Sequence, residues 1–126
     1  MNSTKIIIKT FSKSYPVYFG NGIICLTGSL IKKNLPGVNK VCVISDKKLP
    51  PSLLLRLTKS IKKYNPIVYR LDINEKNKNL VTANKIIQEL LKNNFNRSDC
   101  IIALGGGIVG DLSAFISNLT KRGLKF

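Results

Sequence analysis

The sequence predicts an α/β protein, a Rossmann-like layered parallel sheet with flanking helices. Three observations predict it. Short apolar, β-branched runs alternate with stretches whose apolar residues recur at helical spacing. One apolar run, CIIAL at residues 100–104, passes directly into three glycines and an apolar helix start. The 126 residues amount to one domain.

Each element has its own signal. KIIIKT at residues 5–10 reads as a strand. YPVYF at residues 15–19 reads as a second, with Pro16 marking an edge or a strand start. Gly20-Asn21-Gly22 is a turn. Residues 23–33 then carry apolar side chains at 23, 24, 26, 30 and 31, with Lys32 and Lys33 in the last turn, which predicts a helix. After the Pro36-Gly37 break, KVCVIS at residues 40–45 is a buried-type strand with Asp46 at its C-terminal end. Pro50 and Pro51 suit the first turn of a helix whose one face carries Leu53, Leu54, Leu57 and Ile61. PIVYRL at residues 66–71 is the next strand, and residues 72–79 form a polar loop. From Leu80 to Leu91, apolar residues at 80, 83, 86, 87, 90 and 91 give a helical stripe. Residues 93–99 return the chain to CIIAL, read as the central strand.

Composition narrows the function. Twenty-one Lys and Arg against six Asp and Glu give a net charge of +15. Such an excess suits an anionic partner. The basic residues are mostly Lys, however, scattered among Asn and Ile, as a compositional bias over solvated faces would leave them. The tight clusters, Lys32-Lys33, Lys47-Lys48 and Lys62-Lys63, fall at predicted helix ends or loops. There is no Arg-rich tract interleaved with aromatics, so nucleic acid is not an expected partner. Cys25, Cys42 and Cys100 are far apart, each in an apolar neighbourhood, and the chain has no histidine. Buried thiols in a reducing cytoplasm are expected, and a metal site from this chain alone is not. The N-terminus lacks an apolar core of signal-peptide type and no run approaches a membrane span, so a cytoplasmic location is expected.

Chemistry concentrates at the glycines. Strand, glycine turn and helix N-terminus together present free N–H groups and a positive dipole end to a phosphate. Gly105, Gly107 and Gly110 satisfy G-x-G-x-x-G, but they come late in the chain and no Gly-Lys-Ser/Thr follows. From the glycines alone, a tight turn with close helix–strand packing and a phosphate site both remain open. Asp111 either stabilises the helix dipole or binds a group with donors, such as a ribose. Asp46, the loop around Glu75 and Lys78, and the glycine turn all fall at carboxyl ends of predicted strands, where open α/β sheets bind ligands. Taken singly, Asp46 also fits a cap or turn residue, and Glu75 with Lys78 an i,i+3 surface pair.

The segment GGGIVGDLSAF, residues 105–115, closely resembles the GGGVVGDLAGF-type signature of the 3-dehydroquinate synthase family. The resemblance runs on into Lys121-Arg122-Gly123 and back through residues 93–104. It includes the Glu-x-x-Lys pattern at Glu75 and Lys78 and the hairpin-like residues 14–20, and so spans essentially the whole chain. It implies the N-terminal domain of the dehydroquinate synthase-like fold, with residues 1–126 as an NAD-binding domain cut off before the metal-binding helical domain. It implies an NAD-dependent, divalent-metal-dependent lyase of the shikimate pathway, converting 3-deoxy-arabino-heptulosonate 7-phosphate to 3-dehydroquinate and phosphate. Carried over residue by residue, Asp46, Glu75 and Lys78 contact the dinucleotide. Gly106, Gly107 and Ile108 lie against its pyrophosphate, and Asp111 sits by the nicotinamide-side ribose. Arg122 reaches the substrate phosphate across a dimer interface. No catalytic residue is assigned within this chain. The metal, of zinc or cobalt type, takes Glu and His ligands from the helical domain. Ala114 stands where the family has glycine, and its methyl is either tolerated there or crowds the helix against the sheet. The expected partners are a sugar phosphate, a second copy of the chain and a complementing C-terminal fragment, and this chain alone is expected to be inactive. The alternatives are a related sugar-phosphate cyclase, a polyol dehydrogenase, or a non-catalytic nucleotide- or nucleic-acid-binding remnant.

Overall fold

A computed structural model describes residues 3–126. Strands β1 (Thr4–Lys9) and β2 (Ser14–Phe19) form an antiparallel hairpin with Ile7 opposite Pro16. The hairpin is a two-stranded sheet of its own, so Pro16 removes no ladder bond from a larger sheet. The helix expected over residues 23–33 forms in two parts, a 3-10 turn over Ile23–Leu26 and then α1 (Thr27–Asn34). Gly22, at φ 71°, turns the chain in, and the Cys25 N–H bonds back to the Gly22 carbonyl, tightening the first turn. Gly28 in α1 lies so close to the end of the next helix that a Cβ would sit 1.9 Å from the Ser60 carbonyl oxygen.

Four elements alternate next: β3 (Val41–Asp46), α2 (Pro51–Ser60), β4 (Ile67–Leu71) and α3 (Leu80–Lys92). They are followed by β5 (Cys100–Leu104) and α4 (Gly107–Leu119). The three later strands form a parallel sheet in the order β4-β3-β5. The centre is therefore β3, and not the 100–104 strand that the sequence suggested. The reason lies in its neighbours: Val41, Cys42, Val43 and Ile44 are all fully buried, because β3 is paired on both edges and covered on both faces.

Alternate side chains of the sheet feed two cores. Cys42, Ile44 and Ile101 pack with Ala83, Ile86 and Leu90 of α3 and with Val109, Leu112 and Ile116 of α4. Val41, Val43 and Cys100 pack with Ile31 of α1 and with Leu57 and Ile61 at α2. Each fully buried aliphatic side chain stabilises the fold by roughly 1.5–3 kcal/mol. Helices α1 and α2 thus cover one face, and α3 and α4 the other. The chain leaves β3 toward one edge and returns past it to the other, which opens a crevice between the carboxyl ends of β3 and β5.

Two further contacts lie at the opposite, amino-terminal ends of these strands. Asp99 is fully buried, and its carboxylate accepts the Lys40 and Asn96 N–H groups at 2.9 Å each, tying the start of β3 to the start of β5. On the far side of β5, Lys125 forms one parallel bridge with Cys100. The thiols differ from expectation at one position: Cys42 and Cys100 are buried, but Cys25 is exposed, while its neighbour Ile24 in the 3-10 turn packs against the core. Ala114 is half-exposed, so its methyl does not crowd the helix against the sheet. Among the described residues no helix is long and apolar enough to cross a membrane.

Candidate functional site

Asp46 is the last residue of β3, and its Oδ1 accepts the Lys48 N–H at 2.8 Å. It is both the turn residue and the strand-end carboxylate that the sequence offered as alternatives. Across the crevice, β5 ends at Leu104, Gly105 turns, Gly106 is the N-cap of α4 and Gly107 begins the helix. Gly106 has φ −83° and ψ −168°, extended backbone open to any residue. None of Gly105, Gly106 and Gly107 has positive φ.

The glycines divide by what a Cβ would meet. At Gly105 it would lie 2.6 Å from Cγ2 of the buried Val109, so close packing explains that glycine. At Gly106 and Gly107 it would meet nothing within 4 Å. Neither backbone conformation nor internal packing requires glycine at these two positions. Their bare backbone borders a crevice of about 160 Å³ with Asp46, Ile73, Ile108 and Val109. Gly106 brings no side-chain cap, so the N–H groups of the first turn of α4 remain available to an anion.

A second hollow of about 440 Å³ lies between the N-terminal end of α3 and the outer face of α4, lined by Lys78, Asn79, Leu80, Asp111, Leu112 and Phe115. Lys78 Nζ meets Asp111 Oδ2 at 2.9 Å. The hydrogen bond to Asp111, and then the carboxylate's charge, hold the Lys78 ammonium above the ordinary lysine pKa, while what burial there is works the other way. The surface pair between Glu75 and Lys78 is not formed. Lys78 reaches across to α4 instead, and Glu75 stays exposed in the loop, the least of the influences on Lys78. Asp111 lies in the second turn of α4, beyond the first-turn positions where a carboxylate stabilises the helix dipole most.

The loop that carries Glu75 and Lys78 is shaped by asparagines. Asn74 Oδ1 accepts the Asn77 N–H at 3.0 Å, Asn77 Nδ2 donates to the Asp72 carbonyl at 2.6 Å, and Asn79 caps α3 by accepting the Thr82 N–H at 2.9 Å. The run of Asn before an apolar stripe was the available signal for this cap. Ile73, buried in the crevice wall, carried no signal that the sequence reading used.

Arg122 is not brought to the crevice. It lies beyond the far end of the thirteen-residue α4, about 20 Å of helix from the glycine turn. There it borders a separate hollow with Asn96, Arg97 and Lys121. Lys121 and Arg122 both hold left-handed backbone, φ 51° and 64°. For the expected metal the residues do not fit: among the described residues, no three His, Cys, Asp or Glu side chains gather where they could hold an ion.

Comparison with known proteins gives this arrangement its context. Residues 68–126 match the family described as 3-dehydroquinate synthase N-terminal. The chain is 39% identical over its whole length to the 3-dehydroquinate synthase of Pelagibacter ubique, covering 34% of that protein. It is 35% identical over 90% of its length to that of Vesicomyosocius okutanii, covering 31% of it. The chain thus spans about a third of the length of these curated relatives. In fold it is similar to the crystal structure of a 2-deoxy-scyllo-inosose synthase complexed with carbaglucose-6-phosphate, NAD+ and Co2+. The TM-score is 0.84 at 23% identity, over 96% of this chain and 33% of the other. An α/β layered sheet, a glycine turn between β5 and α4, and relatives bearing one family name across the length of the chain lead to one conclusion: the chain belongs to the 3-dehydroquinate synthase family and corresponds to its N-terminal portion.

Proposed function

We propose that this chain is the dinucleotide-binding portion of a 3-dehydroquinate synthase, taking NAD across the carboxyl ends of β3 and β5. The observation that carries the reading is the open space at Gly106 and Gly107, where glycine is explained by neither conformation nor packing. A pyrophosphate lying there would accept the N–H groups of the first turn of α4. The free Oδ2 of Asp46 would accept from a ribose hydroxyl across the crevice. Lys78, Glu75 and Asp111 would meet the other end of the dinucleotide, with Ile108 against the pyrophosphate.

NAD, when bound, would accept a hydride from the carbon that bears a substrate hydroxyl and later return it, the ketone formed meanwhile acidifying the neighbouring C–H so that phosphate can leave. This chain's own residues bind and orient. Asp111, already paired with Lys78, adds little net negative charge beside an anionic ligand. Arg122, remote from the crevice of its own chain, would serve the substrate phosphate of a second copy, where a planar guanidinium gives paired contacts. Metal ligands and the remaining substrate contacts would come from a C-terminal portion outside these residues, in the part of the relatives' length that this span does not cover, supplied on the same chain or as a complementing polypeptide. The whole conversion, from 3-deoxy-arabino-heptulosonate 7-phosphate to 3-dehydroquinate and phosphate in the cytoplasm, is the activity assigned to the assembled protein.

The test is calorimetric titration of the chain with NAD, beside a phosphate-release assay. Saturable NAD binding without phosphate release supports the reading. No NAD binding overturns the cofactor assignment, and phosphate release by the purified chain overturns the need for that C-terminal portion.

A further inference from the structure

Arg70 lies on β4, outside the crevice, yet its side chain is spent on the turn that carries Asp46. One guanidinium nitrogen, Nη2, donates to the Lys47 carbonyl at 3.1 Å and to the Leu49 carbonyl at 3.4 Å. The same strand takes the Lys47 N–H onto the Leu71 carbonyl at 2.8 Å. Within the turn, the Leu49 N–H bonds the Asp46 carbonyl at 3.2 Å and the Lys48 N–H bonds Asp46 Oδ1 at 2.8 Å. The backbone between β3 and α2 is therefore held from β4 at three points, two of them from one side chain. That hold fixes the direction of the Lys48 N–H, which in turn occupies one carboxylate oxygen of Asp46 and leaves the other without a protein partner among the described residues, on a residue that borders the crevice.

We infer that Arg70 is a positioning residue for Asp46, acting through the carbonyls of Lys47 and Leu49 to present the free carboxylate oxygen to a ribose hydroxyl. Arg70 touches no ligand. Among the described residues it has no acidic partner, so no ion pair accounts for its placement. The inference rests on the dinucleotide reading above for the identity of what Asp46 meets, but not for the hold on the turn.

The test uses R70A, R70K, D46N and the double variant R70A/D46N in the full chain. Amide hydrogen exchange at Lys48 reads the turn, and NAD titration reads its consequence. In R70A the Lys48 amide should exchange about tenfold faster, and the Kd for NAD should rise by roughly three- to tenfold at an unchanged melting temperature. R70K should restore much of the Lys48 protection, because a single nitrogen serves both carbonyls. In the D46N background R70A should add little further loss, as expected for two residues acting through one contact. Unchanged Lys48 exchange in R70A overturns the positioning role, as does an R70A penalty on NAD that is fully retained with D46N. Failure of the wild-type chain to bind NAD overturns the dinucleotide reading instead, and the Lys48 exchange still decides whether Arg70 holds the turn.

Discussion

Lys78 Nζ lies 2.9 Å from Asp111 Oδ2, joining the loop before α3 to the second turn of α4 across 33 positions of sequence. The contact makes one surface of two elements that are separated by α3 and β5. Removing the carboxylate should return Lys78 toward the ordinary lysine pKa, since the hydrogen bond and charge of Asp111 are the larger causes of its elevation. Titration of the Lys78 side chain by NMR in D111N checks this. The sign follows from linkage: with the folded value raised, the pair's contribution is full below the ordinary lysine pKa of 10.5 and fades as the pH climbs through the raised value. At neutral pH the pair is fully formed, but both side chains are well exposed, so D111N should barely move the melting temperature.

The two kinds of glycine predict opposite results. G107V places a side chain in open space at a helix start, so folding stability should change by less than about 0.5 kcal/mol. NAD affinity should fall by at least about tenfold, or about 1.4 kcal/mol, because the side chain blocks the approach of the pyrophosphate. G105A drives its methyl toward Val109 and should cost about 1–3 kcal/mol of stability. Chemical denaturation and NAD titration of both variants separate the two roles. Unaltered NAD binding in G107V would remove the pyrophosphate from this turn.

The thiols offer a check on the core. Burial, reinforced by the nearby Cys100, pushes Cys42 up to about 12, and burial pushes Cys100 up to about 11. Neither should react with a disulfide reagent in the native protein at pH 8, whereas the exposed Cys25 should. Native labelling should thus count one thiol, and labelling in denaturant three. Because both folded values lie above the ordinary 9.0, this stabilisation is full below pH 9 and is lost as the pH rises toward 11 and 12. Denaturant midpoints measured from pH 8 to 11 should fall accordingly.

The open edge of β5 is a place where a further strand can pair. The Cys100 N–H bonds the Lys40 carbonyl just before β3, and the Ile101 N–H bonds the Lys125 carbonyl on the other side. Alternate N–H groups of a parallel strand face opposite edges, so Ala103 faces the open one. Its amide should exchange faster than that of Ile102 in the chain alone. Adding a polypeptide that corresponds to the remainder of the Pelagibacter ubique relative should slow it where that polypeptide pairs with β5. Unchanged exchange at Ala103 would show that the added polypeptide does not pair there.

The strands were legible because each is a short β-branched run with few competing readings, and their observed bounds shift by about a residue. The β5–glycine–α4 passage was legible for the same reason: strand, turn and helix signals abut without a gap. The centre of the sheet was not, since VCVI in β3 and CIIAL in β5 are equally apolar, and only pairing decides which of them has two neighbours. The break in the first helix was also hidden, because apolar spacing does not distinguish a 3-10 turn from the α-helix it leads into. Nor did the spacing of Cys25 show that its side chain faces water.

By itself, the sequence determined the element types, the glycine turn and the family. Periodicity, turn residues and a local signature are properties of neighbouring positions. Tertiary structure alone decided which residues meet: Asp46 opposite Gly107, Lys78 with Asp111 rather than Glu75, Arg70 under the Asp46 turn, and Arg122 at the far end of α4. Those relationships depend on strand order and on which face each helix covers. They are set by burying two apolar cores against one sheet, which no local stretch of chain encodes.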